Sequence, residues 1–352
     1  MSAPRLSRRD VLKLGLAALA ALASDMLPFP DDGGYQAQGV GLGRVTVERI
    51  GLYKAPSFRS PRLAYLYQDM LLHLQEELIS PYGPPSNPRW YRVAEGYVHS
   101  AYIQRVDVRY NPVRTDIPET GRAAEVTVPY TRAYRPREQG WQKLYRLYYS
   151  SVHWVVGLCT GPDGKPWYRI FDDWMKVHYC APAHHLRLIE PHELAPISPD
   201  VPAYEKFIWV DLDNQRLTAY EGDEIVLETE ISTGLETLGR GEPIPTKTPV
   251  GTFHIFLKAQ QRHMGDGQLT SDIHAYELPG VPWVSFFHEW GVAFHGTFWH
   301  DNFGNPMSHG CVNMRTPEAL WLFRWATPVI SPLHRYVEGY GTRVKVTEQK
   351  DD

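Results

Sequence analysis

One four-residue string occurs twice in this chain. Trp90-Tyr91-Arg92-Val93 returns as Trp167-Tyr168-Arg169-Ile170 after 77 residues. At the same offset Trp174 answers Tyr97, Met175 answers Val98, Tyr179 answers Tyr102 and Cys180 answers Ile103. An internal repeat constrains architecture early, because each copy is one folding unit. Both copies are aromatic and β-branched runs bounded by turn residues. The 29 prolines and 28 glycines, spread along all 352 residues, favour short strands joined by turns. Two tandem small β-barrel modules are therefore expected, at about 44–110 and 122–190, in a mainly β chain. The length suits two or three domains.

Charge and cysteine content narrow the function classes. A formal net charge of −4 gives no electrostatic case for nucleic-acid binding. No apolar run reaches the ~20 residues of a dedicated membrane-crossing helix. Three cysteines make no disulfide framework. Cys159 and Cys180 are placed so that either a bridge or a buried small hydrophobe at Cys180 is open. His178, His184 and His185 match no tetrahedral zinc spacing.

The N-terminus reads as a targeting segment. Arg5, Arg8, Arg9 and Lys13 precede or overlap an apolar run over 11–23, and Ala21-Leu22-Ala23 is a small-x-small cleavage candidate. Ser7-Arg8-Arg9-Asp10-Val11-Leu12-Lys13 resembles the twin-arginine export signal, whose cargo crosses the membrane folded. Extracytoplasmic action is the expectation, with membrane contact only if the segment stays uncleaved. Residues 24–43 read as a flexible spacer and 191–202 as a linker stiffened by proline.

From 203 onward the pattern is a β meander, with turns at Asp213-Asn214-Gln215 and Glu221-Gly222-Asp223-Glu224. Gly234 to Gly241 reads as a mobile surface loop, not a phosphate cradle, since no strand–glycine–helix order follows. Residues 259–274 read as a flap, 276–287 as a cleft wall, and 291–295 as a strand delivering His295. A helix is expected over 317–326, capped by Thr316. Near the end stands Ser308-His309-Gly310-Cys311-Val312-Asn313, with His295-Gly296-Thr297 upstream and twelve residues separating His295 from Ser308. A cysteine becomes nucleophilic as the thiolate, which needs a base and backbone N–H groups to receive charge on the attacked carbonyl. The glycine before Cys311 permits a sharp turn and close approach.

This string, with its spaced histidine, resembles the signature of the L,D-transpeptidases, the YkuD-type catalytic domain, over about 203–347. The resemblance implies a β-sandwich-like domain acting on peptidoglycan stem peptides as donor and acceptor. Cys311 would be the nucleophile and His295 the base. Ser308, His309, Gly310, Asn313, Gly296 and Thr297 would support the loop or the oxyanion. In the family the residue after the histidine orients the ring, often through its carbonyl, and here that residue is Gly296. Trp283, Phe298, Arg315 and Met264 are candidate substrate contacts. No metal and no cofactor are implied. Gly96-Tyr97-Val98-His99-Ser100-Ala101-Tyr102-Ile103 resembles the end of bacterial SH3-like domains, which implies cell-wall contact by the two modules. The resemblance implies 3→3 cross-linking with release of D-Ala from a tetrapeptide stem. An L,D-carboxypeptidase, in which water is the acceptor, and an inactive wall-binding protein are the alternatives. A metal site built from His295, His300, Asp301, His309 and Cys311 suits this glycine turn less well.

Overall fold

The computed structural model describes residues 39–235 and 246–349. The segments read as signal peptide and most of the spacer fall outside them, as does the glycine loop beyond Leu235. Three β units follow one another.

The first holds β1 (Gly41–Val45), β2 (Arg49–Tyr53), β3 (Arg62–Tyr67), β4 (Leu71–Leu74), β5 (Glu76–Ile79), β6 (Arg89–Val93), β7 (Gly96–His99) and β8 (Ile103–Val106). They form two sheets, β4-β1-β8 and β3-β2-β7-β6-β5, around Val45, Leu52, Leu66, Leu74, Tyr91, Val98 and Ile103. Residues 41–43, read as spacer, already belong to β1. The apolar spacing of Leu66, Met70, Leu71, Leu74 and Leu78 suits a helix as well as a long strand and loop, but three strands form over these residues. Asp69 explains the first break: it turns the chain at φ +66, and its N–H bonds the Val45 carbonyl at 2.9 Å.

The second unit holds β9 (Arg122–Val126), β10 (Tyr130–Arg137), β11 (Gly140–Tyr148), β12 (Val152–Thr160), β13 (Pro166–Asp172), β14 (Val177–Pro182) and β15 (Leu186–Leu188), in the order β11-β10-β14-β13-β12-β9-β15. The repeat is present, but its offset slips. Trp90 pairs with His99 and Trp167 with Pro182, and each partner precedes a 3-10 turn and a final strand. The β13–β14 hairpin is longer than β6–β7, with a wider turn between Asp172 and Val177 than between Val93 and Gly96. Leu186, not Cys180, therefore takes the place of Ile103, 83 residues on, and the later pairings at offset 77 do not hold. Cys180 is bonded to Cys159.

The linker is packed rather than free. Pro191–Leu194 is a 3-10 turn closed by a Glu190/Glu193 capping box, and Leu194 is buried. The third unit holds β16 (Lys206–Asp211), β17 (Arg216–Glu221), β18 (Glu224–Glu230), β19 (Gly251–His254), β20 (Leu257–Gly265), β21 (Glu277–His288), β22 (Val292–Thr297), β23 (Val312–Arg315), α1 (Thr316–Trp325), β24 (Tyr336–Glu338) and β25 (Arg343–Thr347). Two sheets form, β18-β17-β16-β25-β19 and β23-β22-β21-β20-β24. Ile208, Val210 and Leu217 of one meet Phe287, Phe294 and Val312 of the other, with Leu322 and Phe323 of α1 in the same core. Helix α1 starts one residue early: Arg315 is its cap, and Thr316 and Pro317 open the first turn. Ala123, Val152 and Trp154 of the second unit share that core, so the second and third units are one packed body.

Candidate active site

Strands β22 and β23 run parallel, with His295 opposite Asn313. Side chains alternate along a strand, so a residue two before Asn313 lies on its face, one diagonal step from His295. Cys311 is that residue. His295, Cys311 and Asn313 accordingly line one cavity of about 600 Å³.

The turn into Cys311 is fixed from below. Gly310 adopts φ +120, which suits glycine, and its carbonyl accepts from Thr248 Oγ1 at 2.8 Å. Ser308 Oγ donates to the Cys311 carbonyl at 2.5 Å and accepts the Gly310 N–H at 3.2 Å. Met307 and Ser308 both donate to the Thr233 carbonyl, and Gly234 N–H donates to Thr248. A Cβ on Gly234 would stand 2.8 Å from the Gly310 backbone. Gly234, read as the start of a mobile loop, is thus packed against the motif. Of the expected oxyanion donors, Gly310 N–H is taken by Ser308. No group among the described residues accepts from His309 or Cys311 N–H.

His295 is buried, and its Nδ1–H donates to the Gly296 carbonyl at 3.1 Å. That bond sets the tautomer and leaves Nε2 as the lone-pair nitrogen. Burial lowers its pKa to about 4, against the raising effect of the Gly296 bond. The Cys311 sulfur lies against the apolar cluster of Val281, Val284 and Ala293, although the residue is only partly covered. Burial pushes its thiol up to about 11, opposed by the Ala293 N–H. The resting pair is therefore neutral thiol and neutral imidazole.

His300 completes the floor. Its Nδ1 accepts from Asn302 N–H at 3.2 Å, so a neutral ring carries its proton on Nε2. Nε2 lies 2.9 Å from the Asn313 amide, whose other terminal atom is buried without a partner. Orienting the Asn313 oxygen toward Nε2–H gives the ring N–H its acceptor and the amide oxygen its donor. The sequence reading weighed His300 only as a metal ligand. Among the described residues no three His, Cys, Asp or Glu side chains gather as metal ligands.

Other candidates divide. Met264 and Phe298 line the cavity, as do Ser308 and the exposed His309, whose ring meets Tyr276 at 5.7 Å. Trp283 does not: it is buried against Phe323 in the core. Arg315 points away too, paired with Glu230 at 2.9 Å and lying over Phe303. Thr297 is buried off the cavity, and Gly296 is required where a Cβ would meet Pro282 at 2.9 Å. Of the expected flap over 259–274, residues 259–265 belong to β20 and 266–274 form the connection to β21. β20 and β21 pair closely, and only Met264 and the segment 273–278 reach the cavity. The opposite wall comes from the first unit, with Arg44, Thr46, Val47, Glu48, Gln68 and Tyr102, joined by Tyr148 of the second. Arg44 donates to the Phe298 carbonyl at 3.3 Å and Gln68 to that of Ile273 at 3.3 Å, tying this wall to both sides of the site. No motif in the sequence pointed to these contacts.

Residues 205–346 match the family model of the L,D-transpeptidase catalytic domain, YkuD. No curated protein sequence matches the chain. Among solved structures, the L,D-transpeptidase (residues 123–326) of Xylanimonas cellulosilytica is 24% identical over 42% of this chain and 62% of its own, at a TM-score of 0.29. The catalytic domain of the E. faecium enzyme is 27% identical over 40% of this chain and 96% of its own, at 0.29. L,D-transpeptidase 1 of Mycobacterium tuberculosis is 20% identical over 41% and 61%, at 0.27. This chain thus spans under two thirds of the first of these. The family match, not the overlays, carries the assignment.

Proposed function

Residues 205–346 being a YkuD-type L,D-transpeptidase catalytic domain, we propose that the protein forms 3→3 peptidoglycan cross-links through a thioester on Cys311. The observation that carries this reading is Cys311 and His295 lining one cavity, on the face that the β22–β23 register predicts. The donor is a tetrapeptide stem. As the Cys311 sulfur attacks the carbonyl of its third residue, His295 Nε2 takes the thiol proton. The N–H groups of His309 and Cys311 receive the oxyanion. The C–N bond to D-Ala breaks, and His295 returns the proton to the leaving amine. A side-chain amine of a second stem then attacks the thioester: a C–N bond forms, the C–S bond breaks, and His295 carries the amine proton back to sulfur.

A neutral thiol and a neutral base suit this concerted transfer, since no thiolate has to be held against the apolar cluster of Val281, Val284 and Ala293 before attack. His300 and Asn313 hold the floor beneath the nucleophile. The two N-terminal β units act as SH3-like wall-binding modules, and the 1–23 segment as a twin-arginine export signal, which places the reaction outside the cytoplasmic membrane.

The test is mass spectrometry of the protein incubated with a carbapenem and, separately, with a tetrapeptide donor. One adduct on Cys311, D-Ala release and a cross-linked dimer are expected, all absent in Cys311→Ala. D-Ala release without dimer would move the assignment to L,D-carboxypeptidase. An unmodified Cys311 in folded protein would remove it.

A further inference from the structure

The hairpin that closes the cavity is anchored on the second β unit through one buried ring. His263 on β20 lies between two carboxylates: Nδ1 is 2.5 Å from Asp172 of the second unit, and Nε2 is 2.7 Å from Glu277 at the start of β21. All three side chains are almost fully buried. A neutral imidazole has one N–H and would turn a lone pair toward the other carboxylate, so with both carboxylates ionised it is the imidazolium, with two N–H groups, that this geometry suits. The two carboxylates hold its pKa up against burial.

The contacts continue outward in both directions. Asp172 accepts N–H bonds from Trp174 and Met175 in the β13–β14 turn. Glu277 accepts the Gln268 N–H at 2.5 Å, and the Gln268 carbonyl accepts from Tyr145 Oη at 3.1 Å. Arg262 pairs with Asp173 at 3.0 Å and lies over Trp174. Ile273, Tyr276, Glu277 and Leu278, directly beyond this anchor, line the cavity with Cys311.

We propose that His263 is a positioning residue for the reaction at Cys311: bonded to Asp172 and Glu277, it fixes the cavity-lining hairpin against the second β unit. Removing the cation leaves two buried carboxylates facing each other without a counter-charge, so the hairpin base is expelled from its seat. The second unit is then a working part of the catalytic body. The role rests on the functional reading of the cavity, and its test separates the two.

His263→Gln and Asp172→Asn are compared with the full-length protein in three measurements. These are carbapenem acylation of Cys311, alkylation of Cys311 by iodoacetamide, and amide hydrogen exchange over 266–276. Expected in each variant are about tenfold slower acylation, seen in apparent affinity more than in limiting rate, unchanged alkylation, and faster exchange. The double variant should be no worse than the worse single one, as for residues acting in one chain of contacts. Tyr145→Phe, which removes only the hydroxyl bonded to Gln268, gives a milder form of the same pattern if the charge variants do not fold. Unchanged exchange, or faster exchange with acylation unchanged, overturns the proposal. A wild-type protein that is not acylated sinks the functional reading instead, and the exchange measurement still decides whether His263 holds the hairpin.

Discussion

Asn313 meets His300 at 2.9 Å beneath the nucleophile, and each satisfies a buried polar group of the other. Asn313 also lies opposite His295 in the parallel ladder and donates its N–H to Ser232 at 2.8 Å. Asn313→Ala leaves the His300 N–H buried without an acceptor, which costs about 1–3 kcal/mol. Urea unfolding should show that loss, and Cys311 acylation should slow in the same variant. A variant as stable and as reactive as wild type would show that the pair holds nothing.

The pH dependence of acylation follows from His295. Its folded pKa lies below the usual histidine range, at about 4, so the unprotonated base persists well below pH 6.5. The acid limb of the acylation rate is expected near pH 4 to 5, not at 6 to 7. Rates measured between pH 4 and 8 with a neutral donor check this, and a midpoint at 6.5 would contradict the buried neutral ring.

How much of this was legible beforehand depends on how local each signal was. Cys311, Ser308, Gly310 and the spaced His295 lie within one short stretch, so local spacing could carry the proximity of His295, Ser308 and Cys311 around one cavity. The family resemblance pointed to the residue after His295 without fixing the contact, and His295 Nδ1 lies 3.1 Å from the Gly296 carbonyl. Trp283 and Arg315 were misread because an aromatic or a cation near the motif carries no information on which side of its strand it faces. Trp283 follows a β21 register set by β20 and β22, and Arg315 is claimed by Glu230, 85 residues away. The wall formed by Arg44, Thr46 and Gln68 depends on how two β units dock, for which no single stretch carries a pattern.

Stability against pH has two opposing parts. His153, His185 and His300 are buried with pKa values near 3, so the unfolded chain binds protons below 6.5 that the folded one refuses. Stability from these groups is present above pH 6.5 and is lost as pH falls below it. His263 has the opposite sign: its raised pKa stabilises the fold below 6.5, and that contribution is lost as pH rises through the folded value. With His295, lowered to about 4, these make four depressed histidines, which outweigh one raised one on the acid side. Thermal melts should fall from pH 7 to pH 5, before most carboxylates titrate. His263→Gln should cost more at pH 6 than at pH 9, and an equal cost at both would contradict the charged ring.

Asp69 links the first unit to the site. It accepts from Arg44 Nη1 at 2.8 Å and from Arg146, and all three side chains are largely buried. Asp69→Ala leaves Arg44 buried beside Tyr148 without its counter-charge, a loss on the order of 3–5 kcal/mol. Because Arg44 also holds the Phe298 carbonyl, acylation should fall in any fraction that stays folded. Denaturant titration with a parallel acylation assay reads both effects.

Gly234 gives the sharpest test of the loop beneath Cys311. It lies on the segment after β18, and a Cβ there would stand 2.1 Å from the Thr246 carbonyl and 2.8 Å from both N and Cα of Gly310. Neither neighbour is a flexible side-chain end, so backbone must shift. The Ser308 and Thr248 bonds that hold Gly310 resist that shift, and the displacement passes to Cys311, the next residue. Misplacing a nucleophile by about 1 Å costs roughly 10²-fold in rate. Gly234→Ala should therefore lose about two orders of magnitude in Cys311 acylation while the second and third units keep their shared core, read as an unchanged near-ultraviolet spectrum from buried Trp154, Trp283 and Trp325. Gly339→Ala is the matched control: neither glycine has positive φ, but the nearest atom to a Cβ on Gly339 is Pro328 Cβ at 3.5 Å, an ordinary contact away from the cavity, so that variant should keep its reactivity. Equal losses in the two variants would mean that adding a methyl anywhere in this unit, and not contact with Gly310, governs the thiol.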